Sequence, residues 1–323
     1  MNIYVVHQSA LFYLRGNTKR PDVPWRSAMT GCCASAASTR AHKLRSWDFG
    51  AGPIDLMVPH SSLRCAPREY IYHVWGGPLP PGAFLDLGGG LFLASPELCF
   101  VQVGTGLSIA GLVQLGLELC GTYRLCDGGF RPHCEPLTTV ERLKQFVERA
   151  EGLPGRKKAR KALQWVVDGS ASPMESCMLA RLCLPPRLGG YGCPLPSMNA
   201  LVELSRQQRE LAGRGRLYGD LYWQEYQVIV EYNGQEWHTG RERINSDARR
   251  LNALASIGLK PFLVTADIYK DVELFESLAL EVRSCLGRHA MRPTREQVLL
   301  RRKLPAELLE QEQLTRIREV HDE

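Results

Sequence analysis

Apolar positions in the first half of the chain fall in short runs broken by glycine and proline. Residues 54–58 (Ile-Asp-Leu-Met-Val) end at Pro59 and predict a strand. Residues 70–75 predict a second, stopped by Gly76-Gly77-Pro78-Leu79-Pro80-Pro81. Residues 84–87 and 91–93 flank three glycines, the pattern of a hairpin or tight bend. Ser95-Pro96-Glu97 opens a helix, with Ser as cap, Pro where no donor is lost and Glu at the positive helix end. After a break at Gly104 and Gly106, helix resumes over 112–119. Residues 139–150 place Val140, Leu143, Phe146 and Val147 on one helical face. Leu153-Pro154-Gly155 interrupts, and a helix dense in basic residues follows over 156–167. Residues 1–50 carry little periodicity beyond a short helix ending near Leu11 to Arg15.

The second half reads differently. Ser172-Pro173-Met174-Glu175 starts a helix whose apolar face is Met178, Leu179 and Leu182, ended by Pro185-Pro186. Gly189-Gly190-Tyr191-Gly192 is loop, and a strand begins over 201–203. Residues 218–223 and 227–232 predict two strands joined by a tight turn near Gln224-Glu225. Residues 247–257 predict a helix closed by Gly258, 260–265 a strand, and 268–286 mostly helix. Helix, strand, strand, strand, helix, strand, helix is an α/β order with a mixed sheet. After Pro293 two charged helices, 295–303 and 306–320, are expected on either side of Pro305. The expected organisation is an α+β domain over 1–155, a basic helical linker over 156–170, an α/β domain over 171–288 and a charged tail over 289–323.

Composition narrows the class. With 323 residues, 44% hydrophobic and 23% charged, the chain is neither disordered nor a coiled-coil rod. The net charge of +6 permits a nucleic-acid partner without demanding one. Its distribution says more: 151–219 holds 11 basic and 5 acidic side chains, 220–323 holds 15 and 18. A basic flank beside an acidic site suits a phosphodiester and a metal. The start lacks a basic segment followed by an apolar run, and the apolar stretch 104–120 is too short and interrupted for a membrane span. Eleven scattered cysteines then read as reduced thiols in a cytoplasmic protein. Cys120, Cys126 and Cys134 lack the close pairing of structural zinc ligands.

The chemistry concentrates in the predicted strand pair. Asp220 lies in one strand, and Glu231 follows the apolar run Val228-Ile229-Val230 in the next. A carboxylate at the end of a buried strand is costly unless paired or metal-bound. Two carboxylates across a hairpin can converge on one cation, and oxygen ligands imply Mg²⁺ or Mn²⁺. The alternatives are strand-end residues in surface ion pairs for Asp220 and Glu231, and a plain helix-start residue for Glu175, as for Glu97.

The spacing Asp220…Glu231-Tyr232-Asn233 resembles the PD-(D/E)XK nuclease signature. With Glu-Tyr-Asn-Gly…His238, Asp247 and Arg250, it is similar to the branch of very-short-patch-repair endonucleases, over roughly residues 170–285. The resemblance implies a mixed sheet flanked by helices, with Asp220 and Glu231 as metal ligands. It also implies Glu175 approaching from the first helix, and His238 and Arg250 orienting water or phosphate. The motif lysine is replaced by Asn233, so His238, Arg250 or Lys260 must supply the positive charge, or activity is weak or absent. The reading is a metal-dependent endonuclease on DNA (RNA being the alternative substrate), in defence or repair. Its rival is a catalytically inactive nucleic-acid-binding regulator or toxin–antitoxin component.

Arg156, Lys157, Lys158, Arg160 and Lys161 put five cations in six positions and read as phosphate contacts or as a solvated face. In the first half, Ile54-Asp55-Leu56-Met57-Val58-Pro59, Tyr72-His73-Val74-Trp75 and Ser95-Pro96-Glu97 resemble AbiEi-type proteins of abortive-infection systems, which implies nucleic-acid or partner recognition. A homodimer, or a partner protein docked on the tail, completes the expectations.

Overall fold

The strands expected at residues 54–58 and 70–75 form side by side, on one side of a central strand that the periodicity does not reveal. In the computed structural model, which describes residues 2–18, 25–26, 44, 47–64, 69–202, 206, 217–233, 252, 254–256, 258–289 and 292–313, the chain divides into two units. These are Met1–Val166 with Glu310–Glu323, and Val167–Leu309. Mixed sheets flanked by helices make this an α/β fold.

In the first unit, β1 (Ile3–Val5) runs into α1 (His7–Gly16). Then come β2 (Trp25–Arg26), β3 (Ile54–Val58), β4 (Tyr70–Val74), β5 (Phe84–Asp86) and β6 (Leu91–Ala94). They make a six-stranded sheet in the order β2-β5-β6-β1-β3-β4, with β1 parallel to β6 and antiparallel to β3. Three residues are too few to show alternation, yet Val5 is fully buried at the sheet's centre. Ser95 caps α2 (Pro96–Val103), its Oγ accepting from the Leu98 amide at 3.1 Å. The apolar stretch becomes α3 (Ile109–Leu119), buried along nearly its whole length. A short hairpin, β7 (Arg124–Cys126) and β8 (Gly129–Arg131), precedes α4 (Val140–Arg149) and α5 (Arg156–Ala162). Among the described residues no helix is long and apolar enough to cross a membrane.

The basic segment is not a linker. α5 packs against α2, α3 and α4, burying Ala159 and Ala162. Gly155 enters it at φ +91°, where a β-carbon would strike the Val101 carbonyl oxygen, so no other residue fits.

Glu97 does more than start a helix. It is buried, its Oε1 accepts from Thr138 Oγ1 at 2.5 Å, and Arg142 Nε lies 3.3 Å away, tying α2 to α4. A second buried network joins β3, β4 and α1. Asp55 Oδ2 accepts from the amide and hydroxyl of Ser9, both at 3.1 Å, and Oδ1 lies 2.9 Å from His73 Nε2. His7 stacks on His73 with ring centres 3.7 Å apart.

The second unit opens with α6 (Pro173–Cys183). β9 (Ser197–Val202), β10 (Leu217–Trp223), β11 (Val228–Asn233) and β12 (Lys260–Thr265) follow, then α7 (Ala266–Lys270), α8 (Val272–Cys285) and α9 (Arg295–Gln313). The sheet order is β12-β11-β10-β9; β10 is antiparallel to both neighbours, and β11 runs parallel to β12. The helix expected over 247–257 lies mostly outside the described residues. β9 begins at Ser197, ahead of the strand start expected at Leu201.

Over its described residues the tail is one helix, with Pro305 inside it. An internal proline removes a hydrogen bond at a cost of about 3 kcal/mol. Burial of Leu304 and Leu308, together with Arg301, offsets that loss. Arg301 donates to Glu276 at 2.5 Å, and its guanidinium lies 4.4 Å from the Tyr191 ring centre. Through Leu309 the segment expected as a charged tail is thus part of the second unit's own core.

Candidate functional site

Glu175 is placed by the start of α6. Ser172 caps the helix, its Oγ accepting from the Glu175 amide at 3.2 Å and donating to Glu175 Oε1 at 2.9 Å. Glu175 Oε2 accepts from the Ala171 amide at 2.9 Å and from Asn199 Nδ2 at 2.6 Å. The cap reading and the site reading therefore hold for the same residue. Its helix is anchored from behind: buried Arg181 donates to the Tyr269 carbonyl at 2.5 Å and lies 3.3 Å from the Phe275 ring centre.

Asp220 sits mid-way along β10, and its Oδ2 accepts from the Tyr232 amide at 2.7 Å. The β10–β11 register pairs Leu221 with Val230, so one step further Asp220 stands opposite Glu231. Glu231 is buried at 7% exposure. The charge of Asp220 also reaches Glu175. Burial first, and the charge of Asp220 second, push the Glu175 carboxyl up to about 7, against the pull of its three hydrogen bonds. All three donors to Glu175 are neutral, so none cancels the repulsion. The structure thus brings Glu175 and Asp220 together and sets Glu231 on the adjacent strand.

Asn233 ends β11, paired with Thr265 of β12. His238, Asp247 and Arg250 lie outside the described residues. Lys260 is removed from the role considered for it. It pairs with Val228, three positions before the Glu231–Leu263 pair, or roughly 10 Å along the strand, and its Nζ turns to Cys285 Sγ at 3.9 Å.

Among the described residues, no three His, Cys, Asp or Glu side chains form a ready metal cage. What fits a hard divalent cation is the donor chemistry: carboxylates of like charge that act on one another, with neutral donors alone on Glu175 among the described residues. Asn199 is the contributor that sequence reading missed. It has a left-handed backbone, φ +46°, in β9, where the apolar run Ala200-Leu201-Val202 masks the strand's alternation because Leu201 is apolar yet exposed.

The basic helix divides by role. Arg156 donates through Nε and Nη2 to the carbonyls of Val147 and Glu148, each at 2.8 Å, closing the end of α4. Lys158 Nζ binds the carbonyls of Thr105 at 3.0 Å and Leu107 at 2.6 Å, fixing the α2–α3 turn. These two cations are structural, which corrects the expectation for them. Lys157, Arg160 and Lys161 are exposed. Lys158→Gln is expected to lower stability by about 1 kcal/mol in urea denaturation, and Lys157→Gln by less than about 0.5 kcal/mol. Equal losses would show that the carbonyl contacts carry no weight.

Comparison with protein families, with curated proteins and with solved structures finds no match to this chain.

Proposed function

We propose that this protein is a metal-dependent endonuclease whose second unit cleaves nucleic-acid phosphodiester bonds, with DNA as the substrate. The observation that carries the reading is the Glu175–Asp220 carboxylate pair at the junction of a capped helix and a mixed sheet, with Glu231 opposite Asp220 on the next strand. Three further points support it. The order helix, three antiparallel strands, then a parallel strand and helices is in keeping with the arrangement that the PD-(D/E)XK resemblance implies. The donor set is all oxygen, suited to Mg²⁺ or Mn²⁺. Lys157, Arg160 and Lys161 remain exposed on the first unit to meet phosphates.

In this reading Asp220 and Glu231 hold the cation, one carboxylate from each of two neighbouring strands. Glu175, both of whose oxygens already accept hydrogen bonds, acts on the site through a bound water. A bound divalent ion supplies Lewis-acid polarisation of the phosphodiester and an acidified water. The protein's own part is to hold these carboxylates in a fixed geometry and to bury them enough that their charges are felt. With a carboxyl pushed up to about 7, Glu175 has an affinity suited to taking a proton near neutral pH.

Nicking of supercoiled plasmid by purified protein with Mn²⁺ or Mg²⁺ tests the reading. Metal-dependent nicking is expected from the wild type and none from Asp220→Asn. Wild-type nicking by that variant would refute the assignment. A second reading rests on Asn233, an amide where the motif carries a lysine: a nucleic-acid-binding regulator on a silent nuclease-like fold. Nucleic-acid binding without cutting by either metal would favour it.

A further inference from the structure

Asn199 lies beside Asp220 in the sheet. The β9–β10 register pairs Ala200 with Gly219 and Met198 with Leu221, leaving Asn199 and Asp220 as the step between them. Its amide nitrogen donates to Glu175 Oε2 at 2.6 Å and to the Gly169 carbonyl at 2.9 Å. The other donors to Glu175, the Ala171 amide and the Ser172 hydroxyl, belong to its own helix start. Asn199 is therefore the hydrogen bond that ties this carboxylate to the sheet, where Asp220 sits. The left-handed backbone at φ +46° restricts the position to residues such as Asn, Asp or Gly. Of these, only Asn offers a neutral donor. Aspartate would add a third like charge, and glycine would offer nothing.

We propose that Asn199 is a positioning residue for the proposed nuclease site, its amide holding Glu175 against the repulsion of Asp220 while leaving the negative charge of the pair intact for a cation. The proposal deepens the nuclease reading, but its core is a coupling between three described residues that exists without metal. A purely structural Asn199, serving only the Gly169 carbonyl, would stabilise the loop before α6 equally whether or not residue 220 is charged. A positioning Asn199 would not, because the force it resists comes from Asp220.

The test is a double-mutant cycle on the full chain. Asn199→Gly keeps the left-handed backbone and deletes the amide; Asp220→Asn deletes the charge and keeps an acceptor for the Tyr232 amide. Hydrogen-exchange protection of peptides covering 171–183 and 197–202 reads the opening equilibrium of this region. Asn199→Gly is expected to raise that constant by at least about threefold more in the wild-type background than in Asp220→Asn. Equal ratios in the two backgrounds overturn the proposal. If Asn199→Gly opens too far to measure, Asn199→Asp gives the converse: its penalty should shrink when Asp220 is neutral, and an unchanged penalty overturns the proposal equally. Mn²⁺ titration by calorimetry separates the two claims. Weaker binding in Asn199→Gly than in the wild type supports positioning toward the cation. Coupling in the cycle with no Mn²⁺ binding by the wild type upholds the positioning and removes the nuclease reading.

Discussion

Glu175→Gln is expected to make the protein more stable at pH 8 and, under the proposed nuclease function, to abolish metal-dependent cleavage. The carboxyl is pushed up to about 7 from an ordinary value of 4.5, by burial and then by Asp220. A carboxyl raised in the folded state binds more protons there than in the unfolded chain between those two values. Stability therefore falls as pH rises through the window, and above pH 7 the ionised group costs about 3 kcal/mol. Glutamine removes the charge but keeps the hydrogen bonds. Its carbonyl can stand where Oε2 accepts from Ala171 and Asn199, and its amide can donate to the Ser172 hydroxyl where Oε1 accepted. Allowing for a weaker acceptor, the gain at pH 8 is about 2 kcal/mol, disappearing below about pH 4.5. Urea denaturation of the wild type and variant at pH 8 and pH 4.5 reads it. A variant less stable at pH 8 would mean that the hydrogen bonds outweigh the repulsion.

Part of this site is legible in the sequence, and the missing part has a physical cause. Val228-Ile229-Val230 marks a buried strand, so the carboxylate that follows it calls for a partner or a cation. Ser172-Pro173-Met174-Glu175 marks a capped helix, which α6 is. The spacing from Asp220 to Glu231 implies adjacent strands, and the register sets the two opposite each other. Asn199 stays hidden because β9 carries the apolar run Ala200-Leu201-Val202, in which Leu201 faces solvent, so the sequence does not display the alternation that the strand keeps. The basic run misleads for a different reason. Charge density along a sequence does not tell which cations reach solvent, and Arg156 and Lys158 turn inward to carbonyl groups that helix ends and turns leave open. Pro305 misleads because burial of Leu304 and Leu308 outweighs local propensity.

The first unit should lose stability in acid for a reason the sequence does not display, since His7, Asp55 and His73 are scattered over three elements. Burial first, then the neighbouring His73, push the His7 imidazole down to about 4 from 6.5, against the pull of Asp55. His7 stacks on His73, its amide donates to Gln102 Oε1 at 3.3 Å, and Cys99 Sγ approaches its carbonyl at 3.9 Å. Among the described groups at the ring, Asp55 is the acidic one, and its oxygens are engaged with Ser9 and His73. With a lowered value in the folded state, the unfolded chain binds more protons between pH 4 and 6.5. Stability therefore falls as pH drops through that window, by about 3 kcal/mol at its lower end. His7→Asn isolates the effect. Asparagine tolerates the φ of +51° found there and does not titrate. Hydrogen-exchange protection of α1 and β3 at pH 7 and pH 4 is expected to fall steeply in the wild type and much less in the variant. Parallel losses in the two proteins would assign the acid sensitivity to the carboxylates and leave His7 a packing residue. A difference confined to α1, β3 and β4 would locate the weakness at the stacked imidazoles, where burial leaves a proton on the His7 ring poorly solvated.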